Sequence, residues 1–169
     1  MGQSRMGNTG PGPFLFAGFF VTLCLLCGSL ALIDFRRGII PDALNIAVAG
    51  LGLAEAVIEG GVTAGLEAIT EAVAVGVIFW LFRRLYFAVR KIQGLGLGDV
   101  KFLAAAAIWV GIAGIPMLLL VAALSALLAI GGAQLAGQSL TRQTSLPFGP
   151  FLALGLLATL AAQEWLGLI

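Results

Sequence analysis

The chain has 169 residues, of which 60% are hydrophobic and only 10% are charged, and its mean hydropathy is +1.10. Because an average soluble domain is about a quarter charged, these values exclude an ordinary soluble protein and predict a single membrane-embedded domain. The net charge of +1 argues against a nucleic-acid partner, since binding a phosphate backbone needs a surplus of Lys and Arg. Histidine is absent, which excludes Ser-His-Asp and Cys-His catalytic sets and leaves carboxylates as the acid–base groups.

The N-terminal segment, residues 1–13, is rich in Gly, Pro, Ser and Asn and is predicted to be a flexible tail. Residues 14–33 carry no charge and are long enough to cross a hydrocarbon core about 30 Å thick, so they are predicted to form helix 1. Cys24 and Cys27 have CxxC spacing within this run. In an apolar helix we interpret them as small hydrophobic residues rather than as a redox or metal-binding pair.

A second helix is predicted over residues 41–58. Pro41 suits a first helical turn, where its missing N–H is no loss, and the carboxylate of Asp42 favours the positive end of the helix dipole. The glycine pair at positions 60 and 61 closes this helix. Helix 3 is predicted over residues 66–87, with acids at its start and arginines near its end, as the helix dipole favours.

Residues 102–136 form an uncharged run that would be about 52 Å long as one helix, far more than a bilayer core needs. The run must therefore fold back, and Gly111, Gly114 and Pro116 mark the predicted turn. A polar stretch, residues 137–145, then precedes the last apolar segment. The predicted spans of helices 4, 5 and 6 are residues 100–113, 115–136 and 146–168.

The placement of charge supports six spans. If the loop after helix 1 is cytoplasmic, all basic residues except Arg5 fall on the cytoplasmic side, as the positive-inside rule requires. The five Glu fall on the outer side and the three Asp on the inner side. The sequence therefore predicts an all-α polytopic membrane protein with about six transmembrane helices, in which the ends that carry Asp34 and Asp99 face the cytoplasm.

Two of the three aspartates are placed to act together. Asp34 ends the predicted helix 1 and Asp99 begins helix 4, and the two intervening spans return the chain to the same face. Acids at a membrane boundary are costly and indicate a functional site, usually with a partner. Because two close carboxylates cannot easily both ionise, such a pair shares a proton, and it could activate a water for attack on a peptide carbonyl. Alternatively, both acids simply end helices and pair with Arg36, Arg37 or Lys101.

Three motifs extend this hypothesis. The stretch from Gly96 to Lys101 reads Gly-Leu-Gly-Asp-Val-Lys, residues 34–42 combine an Asp, a basic loop and Pro-Asp, and residues 147–150 read Pro-Phe-Gly-Pro. In order and spacing they resemble the signature elements of the bacterial type IV prepilin peptidases, a family of intramembrane aspartic proteases. The resemblance covers residues 31–155. It implies a peptidase of the cell inner membrane with its active site facing the cytoplasm.

The resemblance also implies roles for single residues. Asp34 and Asp99 would be the catalytic pair, and Gly96 and Gly98 would let an extended substrate approach the backbone. The implied substrate is a prepilin or pseudopilin with a short basic leader, a cleavage site usually after Gly, and a hydrophobic helix lying in the bilayer.

Four further positions are candidates for shaping the site or binding substrate. Lys101 matches the signature lysine and would orient the site or substrate, or else anchor to lipid headgroups. We interpret Asp42 as a helix-start residue rather than a third catalytic acid. Pro147 and Gly149 belong to the Pro-Phe-Gly-Pro segment at the start of helix 6, whose backbone could form part of the site wall.

One element of the larger family members is not found in this sequence. Many of them carry a cytoplasmic insert with paired CxxC motifs and methylate the new N-terminus, whereas the CxxC here lies in helix 1. We therefore predict no methyltransferase activity, no metal and no cofactor, as in the short peptidases that serve Flp/Tad-type or other pilus-like systems. Two alternatives come from other classes: a proton- or cation-coupled transporter that uses Asp34 and Asp99, and a non-catalytic scaffold for pilus or secretion assembly.

Overall fold

The computed structural model describes residues 13–91, 96–136 and 147–166, and in these ranges the chain is all-α, as predicted. The predicted tail, except for its last residue, and the polar stretch 137–145 lie outside the described residues. The described ranges form four helices, α1 (Pro13–Arg37), α2 (Asp42–Arg90), α3 (Leu97–Leu135) and α4 (Gly149–Leu166). Three of these described helices, α1 to α3, are long and apolar enough to cross a membrane.

Helix α1 continues one turn beyond the predicted end at residue 33, so that boundary was wrong. The helix ends at Arg37, and Gly38 adopts the left-handed conformation (φ +64°) while its N–H donates to the carbonyl of Asp34 over 2.7 Å. This is the usual glycine ending of a helix, in which a residue without Cβ pairs a free carbonyl of the last turn. Asp34 therefore lies inside the last turn of α1.

Helix α2 contains both of the helices predicted over residues 41–87. Pro41 precedes it in an extended conformation, and Asp42 is its first residue. At Gly61 the backbone leaves the helical region (φ 74°, ψ −171°), within the glycine pair at which a break is expected. The predicted connection of several residues is therefore shortened to a single residue between two helical halves.

Helix α3 is interrupted in the same way at Gly111 (φ +69°, ψ 171°). The sequence predicts a turn in this region, with the first helix ending at residue 113. The first half of α3 instead ends at residue 110, so the predicted end was wrong by three residues. After Gly111 the helix resumes directly and runs on through Gly114 and Pro116. The freed backbone groups find side-chain partners. Glu71 accepts a hydrogen bond from the N–H of Ile112 over 3.1 Å, and Gln163 donates one to the carbonyl of Val110 over 2.9 Å.

These partners matter because a break in a helix frees backbone N–H and C=O groups, which need other hydrogen-bond partners. Glu71 lies on the second half of α2 and Gln163 on α4, so three helices meet at the break. A second contact lies nearby: the indole nitrogen of Trp109 donates to the carbonyl of Val48 over 3.0 Å, and the absence of a side chain at Gly52 leaves room for the ring.

The first half of α3 forms the centre of the core. It packs between α2 and α4, and α1 packs against α4 and α2. Large side chains that are fully buried include Leu23, Leu30, Phe102, Leu103, Leu118, Leu152 and Leu156. Many apolar residues are exposed instead, among them Phe35 and Leu128, as expected for surfaces that face lipid rather than water.

We expect replacement of Glu71 by Leu to destabilise the protein by about 0.5–1.5 kcal/mol, because the N–H of Ile112 then loses its hydrogen-bond acceptor. Glu71→Gln keeps an acceptor oxygen and should lose less. Thermal unfolding in detergent, followed by the helical circular dichroism signal, measures the change. Glu67→Leu is the control, since Glu67 is exposed one turn earlier. A melting temperature of Glu71→Leu equal to that of the control would contradict this account of the break.

Candidate active site

Asp34 is buried, with only 5% of its surface exposed, and it faces the first residue of α4. Its Oδ2 atom accepts a hydrogen bond of 2.8 Å from the backbone N–H of Gly149. A Cβ atom added at Gly149 would lie 2.6 Å from the same oxygen, so the position has no room for a side chain. The N-terminus of a helix favours a negative charge, which gives this buried carboxylate a favourable setting.

Asp99 lies in the first turn of α3, three residues after Gly96, which precedes the helix in an extended conformation. A hydrogen bond from the Gly96 backbone holds the carboxylate, and a Cβ atom at Gly96 would lie 3.0 Å from Oδ2. The acid thus reaches back to the start of its own helix, as the third residue of a capping box does. Both aspartates are therefore fixed by backbone groups at helix N-termini.

The two carboxylates line one cavity of about 620 Å³, and the charge of Asp34 acts on Asp99. Seven of the eight residues singled out from the sequence line this cavity: Asp34, Asp42, Gly96, Gly98, Asp99, Lys101 and Pro147. The eighth, Gly149, borders it through its contact with Asp34. The sequence motifs, which lie far apart along the chain, are thus assembled around a single space.

Lys101 contacts Asp42 rather than either acid of the pair. Its Nζ atom lies 2.7 Å from both carboxylate oxygens of Asp42, and the two side chains are about half exposed. An ion pair this exposed contributes about 0–1 kcal/mol, so its main effect is to join the starts of α2 and α3. Among the described residues, Asp34 and Asp99 are therefore held by backbone N–H groups and not by Lys101.

Gly98 has a packing role that the sequence does not reveal. A Cβ atom there would lie 3.0 Å from the Cβ of Ile40, so the start of α3 approaches the loop before α2 closely. Sequence reasoning also missed Gly38, Ile40 and Phe148 in the cavity wall. All three carried a signal, since Gly38 and Ile40 lie within the motif of residues 34–42 and Phe148 lies within the Pro-Phe-Gly-Pro motif. The carbonyl of Phe148 accepts hydrogen bonds from the first turn of α4.

The chemistry available in this cavity is that of carboxyl groups. Within the described ranges, no three His, Cys, Asp or Glu side chains are grouped in a way that could hold a metal ion. A close carboxyl pair that shares one proton offers an ionised base beside a protonated acid. Such a pair can deprotonate a water molecule and protonate the oxygen on which negative charge develops.

We expect Gly149→Ala to destabilise the protein, because the new methyl group would overlap Oδ2 of Asp34 and break the hydrogen bond that the N–H donates. An Ala for Gly exchange in a helix otherwise stabilises by about 0.5–1 kcal/mol. Gly131→Ala is the matched control, since nothing lies within 4 Å of its added Cβ. The two melting temperatures in detergent should move in opposite directions, and an equal or higher value for Gly149→Ala would contradict the contact.

Comparison with known proteins points to one family. The model of the type IV leader peptidase family matches residues 19–131. The chain is 34% identical over 157 residues to a prepilin leader peptidase/N-methyltransferase of Escherichia coli (strain K12), an alignment that covers 91% of this chain and 67% of that protein. It is 35% identical over 152 residues to the protein of the same name from Burkholderia pseudomallei (strain 1026b), covering 89% of this chain and 48% of the relative.

A similar match is found to the prepilin leader peptidase/N-methyltransferase of Legionella pneumophila, with 31% identity over 131 residues. The chain spans between about half and two thirds of the length of these relatives. No solved structure matches it at a significant level. The resemblance predicted from the three motifs is thus confirmed, and the chain belongs to the type IV leader peptidase family.

Proposed function

We propose that this protein is an intramembrane aspartic endopeptidase that removes the short basic leader from prepilins or pseudopilins. The observation that carries the proposal is the pair of acids, Asp34 and Asp99, which line one cavity in a chain of the leader peptidase family. Methyl transfer, which the names of the relatives also include, is not part of the proposal. The apolar helices and the family together indicate a multi-pass protein of the inner membrane.

In the proposed reaction the two carboxyls share one proton. The ionised member takes a proton from a water molecule, which attacks the scissile carbonyl, while the protonated member donates to the carbonyl oxygen. Collapse of the tetrahedral intermediate breaks the C–N bond: the carboxyl that took the proton of the water gives it to the leaving amine, and the other carboxylate takes a proton from a hydroxyl of the intermediate. The pair then again holds one proton. The Gly149 N–H and the Gly96 backbone hold the carboxylates in place for this exchange.

The remaining candidate residues would support the site. Gly96 and Gly98 leave the backbone accessible to an extended substrate, and Pro147 with Gly149 fixes the wall against which Asp34 lies. The ion pair of Lys101 and Asp42 would keep the starts of α2 and α3 at a fixed separation. These roles act on the position of the reacting groups and not on the proton transfer itself.

We further propose that the chain crosses the membrane six times and that the acid pair faces the cytoplasm. The breaks at Gly61 and Gly111 support this, because each divides an apolar helix that is much longer than about 20 residues, the length one crossing needs. The six resulting segments are α1, the two halves of α2, the two halves of α3, and α4. Basic residues concentrate at the ends that carry the acids, which favours a cytoplasmic orientation.

Asp34→Asn and Asp99→Asn should each abolish leader removal, with a loss of at least about 100-fold, since an amide can neither share nor transfer the proton. The chain is expressed with a candidate prepilin, and the shortening of the substrate is followed on a gel. Glu67→Gln is the control, because it makes the same exchange at an exposed position away from the cavity.

Complete processing by either Asn variant would overturn the assignment of the pair. Absence of processing by the wild-type chain, tested with several pilin-like substrates, would instead favour a transporter or a scaffold. The first result rejects the residues, and the second rejects the activity.

The topology predicts which positions a reagent can reach from outside an intact cell. In a background of Cys24→Ala and Cys27→Ala, a cysteine at Val62, next to the Gly61 break, should react with a membrane-impermeant maleimide in intact cells. A cysteine at Ile39, in the loop after α1, should react only after the membrane is permeabilised. Both side chains are exposed in the structure. Labelling of both positions in intact cells would contradict the six-span arrangement.

A further inference from the structure

An apolar groove runs along the protein beside the candidate active site. It lies between the first half of α2, the second half of α2 and the first half of α3, and has a volume of about 550 Å³. Its walls are almost entirely apolar and include Ile46, Ala49, Val73, Val77, Ala104 and Ile108. At one end the groove is bounded by Asp42 and Lys101, which also line the cavity of the acid pair. The two spaces are therefore neighbours that share a border.

Asn45 contributes the polar side chain that is unexplained in this groove. It is 5% exposed, and neither its amide nitrogen nor its amide oxygen has a hydrogen-bond partner among the described residues. Leaving such a group unpaired away from water costs free energy, which is why buried amides almost always find partners. The side chains of Trp109 and Gln163, also on helices of the core, each donate a hydrogen bond to a backbone carbonyl. Asn45 lines the groove, and its unpaired carboxamide indicates a partner that the described residues do not supply.

The chemistry of this partner follows from the membrane. A carboxamide offers a donor and an acceptor, as a peptide group does, so it can pair with backbone N–H and C=O groups at once. A chain that enters a bilayer has such groups to satisfy where its extended part becomes helical, because the first turn of a helix leaves its N–H groups unpaired. The apolar walls suit the side chains of the helix that follows.

We infer that this groove binds the beginning of the substrate's hydrophobic helix, and that Asn45 pairs with the substrate backbone where that helix starts; this inference rests on the proposed function. From Lys101 to Ile108 the wall is about 10 Å long, which matches about two helical turns. The segment before the helix then passes the Asp42–Lys101 pair and reaches the two acids. Asn45 is a binding residue in this arrangement and takes no part in proton transfer.

Asn45→Leu tests this role, because leucine has nearly the same size and removes the unpaired amide. We expect the melting temperature to rise, since an unsatisfied polar group is lost, while KM for a prepilin substrate in detergent rises about 5- to 10-fold and kcat changes less than twofold. A purely structural role would move stability and catalysis in the same direction. The opposite signs of the two effects are therefore specific to substrate binding.

Thr159→Val is the matched control. Thr159 is also fully buried with an unpaired hydroxyl among the described residues, but it lies on α4 and does not line the groove. Its replacement by the isosteric Val should raise the melting temperature and leave KM unchanged. An unchanged KM for Asn45→Leu, or an equal rise of KM in both variants, would overturn the inference.

Cross-linking locates the substrate without requiring turnover. The background variant lacks both native cysteines, by Cys24→Ala and Cys27→Ala, and is made inactive by Asp34→Asn and Asp99→Asn. A cysteine is then introduced at Val77 or at Val21, and another is placed in the substrate one turn into its hydrophobic helix. The substrate cysteine should form a disulfide with the cysteine at position 77 but not with the one at position 21. Both valines are 57% exposed, and only Val77 lines the groove. Cross-linking at Val77 without cleavage by the wild-type chain would retain the groove and reject the peptidase. Cleavage by the wild type with equal cross-linking at both positions would retain the peptidase and reject the groove.

Discussion

The contact between Asp34 and the N–H of Gly149 determines how the rest of the site is arranged. It joins the last turn of α1 to the first turn of α4, and the buried carboxylate accepts its hydrogen bond from a backbone N–H. A carboxylate held by a side chain could follow the rotamers of its partner, whereas one held by the start of a helix is positioned by the packing of that helix. Because α4 packs against α3, which carries Asp99, the spacing of the two acids depends on helix packing.

The same constraint operates at the other end of the bundle. At the Gly111 break the interrupted helix is paired by Glu71 from α2 and by Gln163 from α4. At both sites a polar side chain, from Asp34, Glu71 or Gln163, pairs with a backbone group of another helix. Asn45 differs from them because its amide has no such partner among the described residues.

Much of this arrangement could be predicted from the sequence. Hydropathy and glycine placement located the helices and both backbone breaks, and three local motifs identified residues that line one cavity. The ends of α1 and of the first half of α3 were wrong, because the end of a helix depends on which residue adopts the left-handed conformation: Gly38 was not considered, and Gly111 could not be distinguished from Gly114. The start of the last helix, predicted at residue 146, was also wrong, since α4 begins at Gly149. The partner of Lys101 was not predictable either, because Asp42 lies 59 residues away and the pairing follows from helix packing.

The tight fit at Gly149 has a consequence for how this protein can vary. Positions 34 and 149 are separated by 115 residues, yet they constrain each other: an acid at 34 needs a residue without Cβ at 149, and a larger residue at 149 removes the space that the acid occupies. An acid at position 34 should therefore occur together with glycine at position 149 in related sequences. In related sequences that have lost the acid at position 34, the glycine is free to drift, so substitution at 149 would mark chains that no longer use this carboxylate.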